Sequence, residues 1–128
     1  MNTHTLLLVE DDMFVSDIYL TKLRKEGFQV ESAIDGRDAL KKMKTLVPDM
    51  VLLDLMMPYV DGMEVLEFMK QDKKLASVPV IVLTNLSEKE NINRAMQLGA
   101  DDYIIKSHFT PSEVLEKIQS LLNKKTMV

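Results

Sequence analysis

The chain has 128 residues, 46% of them apolar and 28% charged, with a net charge of −4 and no cysteine. That length fits one domain with a sizeable core, spanning residues 1–128, and the composition is that of a soluble globular protein. It excludes disulfides, thiolate metal sites and cysteine nucleophiles, and the acidic balance gives a nucleic-acid-coating role no electrostatic footprint.

The first residues, MNTHTLLLVEDD, have no basic start and only a short apolar run. Neither a signal peptide nor a membrane span is expected there, so the expected compartment is the cytoplasm. Leu6 to Val9 reads as a first strand, and Val15, Ile18, Tyr19 and Leu23 follow at helical spacing until Gly27 closes the helix. Phe28 and Val30 begin a second strand. Asp35-Gly36 turns the chain into a second helix marked by Ala39, Leu40, Met43 and Val47, which ends at Pro48. Met50 to Leu53 is a third strand, leading into Asp54 and the loop from Pro58 to Gly62. Val65, Leu66 and Met69 define a third helix, ended by the charged turn QDKK.

Pro79 precedes a fourth strand, Val80 to Leu83, followed by Thr84 and Asn85. Ser87 with Glu90 has the spacing of a capping box for a fourth helix carrying Ile92, Ala95, Met96 and Gly99. Tyr103 to Ile105 is a fifth strand. Thr110-Pro111-x-Glu113 starts a fifth helix, with the proline at its first position, and Val114, Ile118, Leu121 and Leu122 form its stripe.

Strand and helix thus alternate five times, and the strands are continuously apolar. The expected fold is α/β, a doubly wound five-stranded parallel sheet with helices on both faces and right-handed crossovers. In such a sheet ligands bind beyond the carboxyl ends of the strands, at the switch point of strand order; for the order 2-1-3-4-5 this lies between strands 1 and 3. This chain puts Glu10, Asp11 and Asp12 after strand 1, Asp54 after strand 3, Thr84 after strand 4 and Lys106 after strand 5. Carboxylates gathered on one rim repel unless a cation sits among them. Oxygen ligands without His or Cys point to a hard cation, and two or three carboxylates suit Mg²⁺. A carboxylate beside Mg²⁺ can attack a phosphoryl group, so Asp54 reads as a nucleophile.

The stretches LLLVEDD, PDMVLLDLMMPYVDG, VIVLT and GADDY, and the lysine of IIK, closely resemble the receiver domain of two-component response regulators over essentially all 128 residues. The resemblance implies the flavodoxin-like fold and makes Asp54 the phosphoacceptor for a cognate sensor histidine kinase or phosphotransfer protein. It makes Asp11 a direct Mg²⁺ ligand, Glu10 a holder of metal-bound water, and the Met56 carbonyl a further ligand. Thr84 would bond the phosphoryl group, Lys106 would pair with it, and Tyr103 would be the aromatic that moves with the switch. Readout to a downstream protein partner, or a phosphoryl relay, is expected on the face of the fourth helix, fifth strand and fifth helix, with no direct nucleic-acid or membrane contact. Asp12 reads as a cap of the first helix.

Two positions depart from the usual receiver pattern. The residue after the lysine is Ser107 instead of proline, and the residue after Thr84, usually small, is Asn85. A cis bond before a non-proline residue costs about 2.5–4 kcal/mol, so the Lys106–Ser107 peptide is expected to be trans with an adjusted loop. Asn85, with Met56 and Leu86, is expected to control access to the site.

An aspartyl-phosphate phosphatase on a similar scaffold would place a second aspartate two residues after the nucleophile. Met56 stands there, so no external turnover is expected: the chain would catalyse only its own phosphorylation and dephosphorylation. A degenerate, binding-only receiver is disfavoured because the acids, Thr84 and Lys106 are all in place. His4 and His108 read as surface residues, and the methionines as core and loop filler. The chain closes soon after the fifth helix, so a stand-alone receiver or one part of a longer regulator is expected.

Overall fold

The computed structural model describes residues 4–126. Five strands, β1 (Thr5–Val9), β2 (Gln29–Ala33), β3 (Met50–Leu53), β4 (Val80–Thr84) and β5 (Asp102–Ile105), alternate with five helices, α1 (Met13–Lys25), α2 (Gly36–Lys42), α3 (Gly62–Gln71), α4 (Lys89–Gln97) and α5 (Pro111–Thr126). A single 3-10 turn, Lys106–His108, lies between β5 and α5. All strand pairs are parallel, in the order β2-β1-β3-β4-β5. The expected doubly wound sheet is the one observed.

The apolar strands are explained by burial on both faces. Leu7, Val9, Val51, Leu53, Val80 and Val82 join Ala39 of α2 and Met43 just after it, Val65, Leu66 and Met69 of α3, and Ala95 of α4. Their alternates, Leu6, Leu8, Met50, Leu52, Ile81 and Leu83, join Tyr19, Leu20 and Leu23 of α1 with Val114, Ile118 and Leu122 of α5. With a side-chain period of two, every second residue serves each layer, so in β1, β3 and β4 neither face tolerates a polar position until the strand ends.

Helix starts follow their capping chemistry. Asp12 caps α1 as expected, accepting from the Phe14 and Val15 N–H groups at 2.9 and 3.2 Å. Asp61 and Glu64 form a capping box on α3, and at the start of α5 the Thr110 and Glu113 N–H groups each donate to the other's side-chain oxygen. Gly27 follows α1 at φ 95°, the left-handed conformation that a helix end favours in glycine.

Three local expectations are corrected. The second helix stops at Lys42 instead of continuing to Pro48; beyond it Lys44 and Thr45 donate to carbonyls only three residues back. Thr45 and Val47 are β-branched, and the residue before a proline avoids helical geometry. Ser87 forms no capping box: α4 begins after Glu88 without a side-chain cap bond, which leaves Ser87 one position before the N-cap. Ile18 and Met96, read as core-facing, are 42% and 44% exposed. On α1 the buried stripe runs instead through Ser16, Tyr19, Leu20 and Leu23.

Candidate functional site

Strand register builds the site. Val9 is level with Leu53, and Thr84 with Ile105, so Glu10, Asp54 and Lys106 are the residues that follow the last paired positions of their strands. The Asp54 N–H still donates to the Val9 carbonyl at 3.0 Å, and the Glu10 N–H to that of Ala33 at 3.0 Å. Each carboxylate therefore leaves a fixed backbone, and both are nearly enclosed, Glu10 at 3% and Asp54 at 6% exposure.

Lys106 lies between the two acids. Its Nζ is 3.2 Å from Asp54 Oδ2 and donates as well to Glu10 Oε1. The remaining carboxylate oxygens are held by main chain: Asp54 Oδ1 accepts from the Met56 N–H at 3.2 Å, and Glu10 Oε2 from the Asp12 N–H at 3.1 Å. Burial raises the Glu10 carboxyl to about 6; the Lys106 contact opposes this and the Asp54 charge adds to it. Burial by itself lowers the Lys106 ammonium, but the contacts with Glu10 and Asp54 outweigh it, and the net shift is upward. Two acids sharing one ammonium leave a net negative site.

Asp11 completes the rim from an exposed position. Oxygens of Glu10, Asp11 and Asp54 lie within 4.8 Å of one another. This all-oxygen, partly open set fits a hard cation that retains water, so the acidic cluster expected for Mg²⁺ is present. Met56, whose N–H holds Asp54, is 57% exposed.

Thr84 is fully buried, and its Oγ1 accepts from the Leu86 N–H at 3.4 Å. The Leu86 carbonyl in turn accepts from the Tyr103 hydroxyl at 2.6 Å. Thr84 and Tyr103, singled out separately in the sequence, are thus joined through one residue of the loop between them. Burial is the first cause of an upward shift of the Tyr103 phenol, which keeps it a hydrogen-bond donor. His108 is exposed, in line with its reading as a surface residue.

The Lys106–Ser107 peptide is trans, as expected, since no cis bond occurs among the described residues, and the 3-10 turn is the local adjustment. Two contacts had no signal in the sequence. One is the bond from Lys106 to Glu10. The other joins the two departures: the Ser107 N–H donates to Asn85 Oδ1 at 3.1 Å. Asn85 therefore engages the neighbouring loop.

Comparison with known proteins agrees with this geometry. The family model of the response regulator receiver domain matches residues 6–119. The chain is 34% identical over 119 residues to the DNA-binding dual master transcriptional regulator RpaA of Synechocystis sp., a match covering 93% of this chain and 49% of that protein. It is 35% identical to the alkaline phosphatase synthesis transcriptional regulatory protein PhoP of Bacillus subtilis, covering 93% and 48%. The chain spans about half the length of these curated relatives. Among solved structures, a CheY-like response regulator receiver domain protein from Methanospirillum hungatei superposes with a TM-score of 0.91 at 28% identity, covering 98% of each chain. Sequence, fold and rim chemistry converge, and the chain belongs to the response regulator receiver domain family.

Proposed function

We propose that this chain is a phosphoacceptor module of a two-component system in which Asp54 takes a phosphoryl group from a sensor histidine kinase or a phosphotransfer protein. The observation that carries this reading is the enclosed Asp54 carboxylate beside the Lys106 ammonium at 3.2 Å, within one cluster of three acids. Mg²⁺ would be held by Asp11 and Asp54, by Glu10 through water, and by the Met56 carbonyl; when bound it would offset negative charge on the phosphoryl oxygens.

One Asp54 oxygen attacks phosphorus in line. The bond from phosphorus to the donor's imidazole nitrogen, or to the oxygen of an acyl phosphate, breaks, and the leaving group keeps the electron pair. The Lys106 ammonium, already aimed at Asp54, follows the charge onto the phosphoryl group and leaves Glu10 less neutralised. The Thr84 hydroxyl can give up the Leu86 N–H and turn its own proton toward a phosphoryl oxygen. Attack by water on the acyl phosphate later restores Asp54 and releases phosphate. The chain thus catalyses only its own phosphorylation and dephosphorylation.

The signal is read on the face formed by α4, β5 and α5, where a protein partner or a further relay protein docks. The net charge of −4 argues against direct nucleic-acid contact by these residues, although relatives such as RpaA are named as DNA-binding. No helix among the described residues is long and apolar enough to cross a membrane, and a cytoplasmic site of action goes with the family reading.

Incubation with an acyl phosphate and Mg²⁺ is expected to add one base-labile phosphoryl group per chain, read by intact mass. Asp54→Asn is expected to abolish the addition, Asp11→Asn to lose it through metal binding, and chelator to prevent it. Undiminished labelling of Asp54→Asn, or equal labelling in chelator, would overturn the reading.

A further inference from the structure

We propose that Asn85 is a positioning residue for Lys106, acting through the main chain of Ser107; the proposal rests on the phosphoacceptor reading of the site. Lys106 opens a 3-10 turn of three residues that has no side-chain cap at its start. The turn's own closing bond, from the Phe109 N–H to the Lys106 carbonyl, is long at 3.4 Å. Such a short turn holds its shape weakly. Yet its first side chain must keep one ammonium between two acids from which 52 and 96 residues separate it in sequence.

The bond from the Ser107 N–H to Asn85 Oδ1, at 3.1 Å, supplies the missing restraint. It satisfies an N–H that the turn leaves open, and it does so from the strand end that carries Thr84. Packing does not replace it. Asn85 and Ser107 are both exposed, and beside them lies a cleft of about 300 Å³ also lined by Tyr19, Lys106, Phe109 and Pro111.

Asn85 is itself well anchored. Thr84 precedes it, fully buried, and Leu86 follows it, bonded to Thr84 Oγ1 through its N–H and to the Tyr103 hydroxyl through its carbonyl. Beyond the last ladder pair, Thr84 with Ile105, the Asn85 to Ser107 hydrogen bond ties this loop to the turn carrying Lys106. The turn sets where the Lys106 side chain starts, and charge placement on a scale of about 1 Å governs transition-state stabilisation.

The test is a double-mutant cycle with two readouts. Asn85→Ala removes the acceptor, Ser107→Pro removes the donor N–H, and Ser107→Ala keeps it. In the protein without metal or phosphodonor, Asn85→Ala is expected to lose exchange protection at the Ser107 amide and to shift and broaden the Lys106 ammonium resonance. Asn85→Asp, which retains an acceptor, is expected to restore the amide protection. With Mg²⁺ and an acyl phosphate, Asn85→Ala is expected to slow labelling of Asp54 by roughly 3- to 10-fold, the scale of one lost hydrogen bond. That loss is expected in full in the Ser107→Ala background and to vanish in the Ser107→Pro background.

An unchanged Lys106 resonance in Asn85→Ala would overturn the proposal, as would an equal effect of Asn85→Ala in the Ser107→Pro chain, since Asn85 would then act only by crowding the site. Failure of every chain to accept phosphate would refute the phosphoacceptor reading instead, while the two resonances would still decide the positioning.

Discussion

At the scale of single residues, the site is a problem of three charges with too little water. Glu10 and Asp54 are both nearly enclosed, and Lys106 is the ammonium between them. Burial lifts Glu10 from its ordinary 4.5 to about 6, so the folded chain holds this proton more tightly than the unfolded chain does. The resulting stability is fully present below pH 4.5 and is lost as pH rises through 6, because the ionised acid is then penalised by folding. A shift of that size corresponds to about 2 kcal/mol. Urea unfolding between pH 4 and 7.5 is therefore expected to show a fall in stability of about that size relative to Glu10→Gln, which has no proton to lose. Acids remote from the site contribute equally to both chains and cancel in the difference, leaving the coupled set of Glu10, Asp54 and Lys106. Parallel pH profiles for the two chains would mean that Glu10 titrates normally.

At the scale of elements, α3 connects packing to chemistry. Gly62 begins that helix, and a Cβ built on it would lie 2.3 Å from the Asp54 carbonyl oxygen and 2.6 Å from Leu55 Cα. Both are backbone atoms, so the helix start is seated directly on the main chain that displays the nucleophile. Gly62→Ala is expected to cost about 1–3 kcal/mol by overpacking and to slow phosphorylation of Asp54 as well. Gly99→Ala is a control of different character. Its φ of 108° strains any side chain, but its new Cβ meets only the Lys70 side chain, the nearest approach being 2.9 Å. It is expected to lower stability and leave the labelling rate of the folded protein unchanged; equal effects of both substitutions on labelling would break the link between α3 and Asp54. Much of this was legible in the sequence, because strands buried on both faces read as unbroken apolar runs and the residue that ends each run is the one on the rim. Glu10, Asp54, Thr84 and Lys106 could therefore be found as strand ends. The end of α2, the unused Ser87 and the exposure of Ile18 and Met96 could not, since each depends on how a helix settles on its sheet. The bond between Asn85 and Ser107 spans 22 residues, and neither partner has a local signature that names the other.

At the scale of the whole molecule, the question is how a charge change at Asp54 reaches the surface. A route consistent with the proposed function starts at Thr84 and follows hydrogen bonds. Thr84 Oγ1 accepts from Leu86, Leu86 accepts from the Tyr103 hydroxyl, and the half-buried Tyr103 packs against the core layer that includes Ala95 of α4. If phosphorylation draws the Thr84 hydroxyl away, the Leu86 N–H loses its acceptor and the loop between β4 and α4 must find a second arrangement. Such a change is a shift in population between two packings, and its size is set by how differently each packing treats the phosphorylated site. Tyr103→Phe keeps the ring and removes only the hydroxyl that holds Leu86. The expected cost to stability is small, about 1 kcal/mol, while the coupling is expected to weaken sharply. In the parent chain, phosphorylation is expected to alter amide exchange across α4 as well as around Asp54. In Tyr103→Phe the change around Asp54 is expected to remain and the change across α4 to shrink severalfold. An undiminished α4 response would show that the signal travels without the Tyr103 hydroxyl, through packing of the ring or through the connection between β5 and α5.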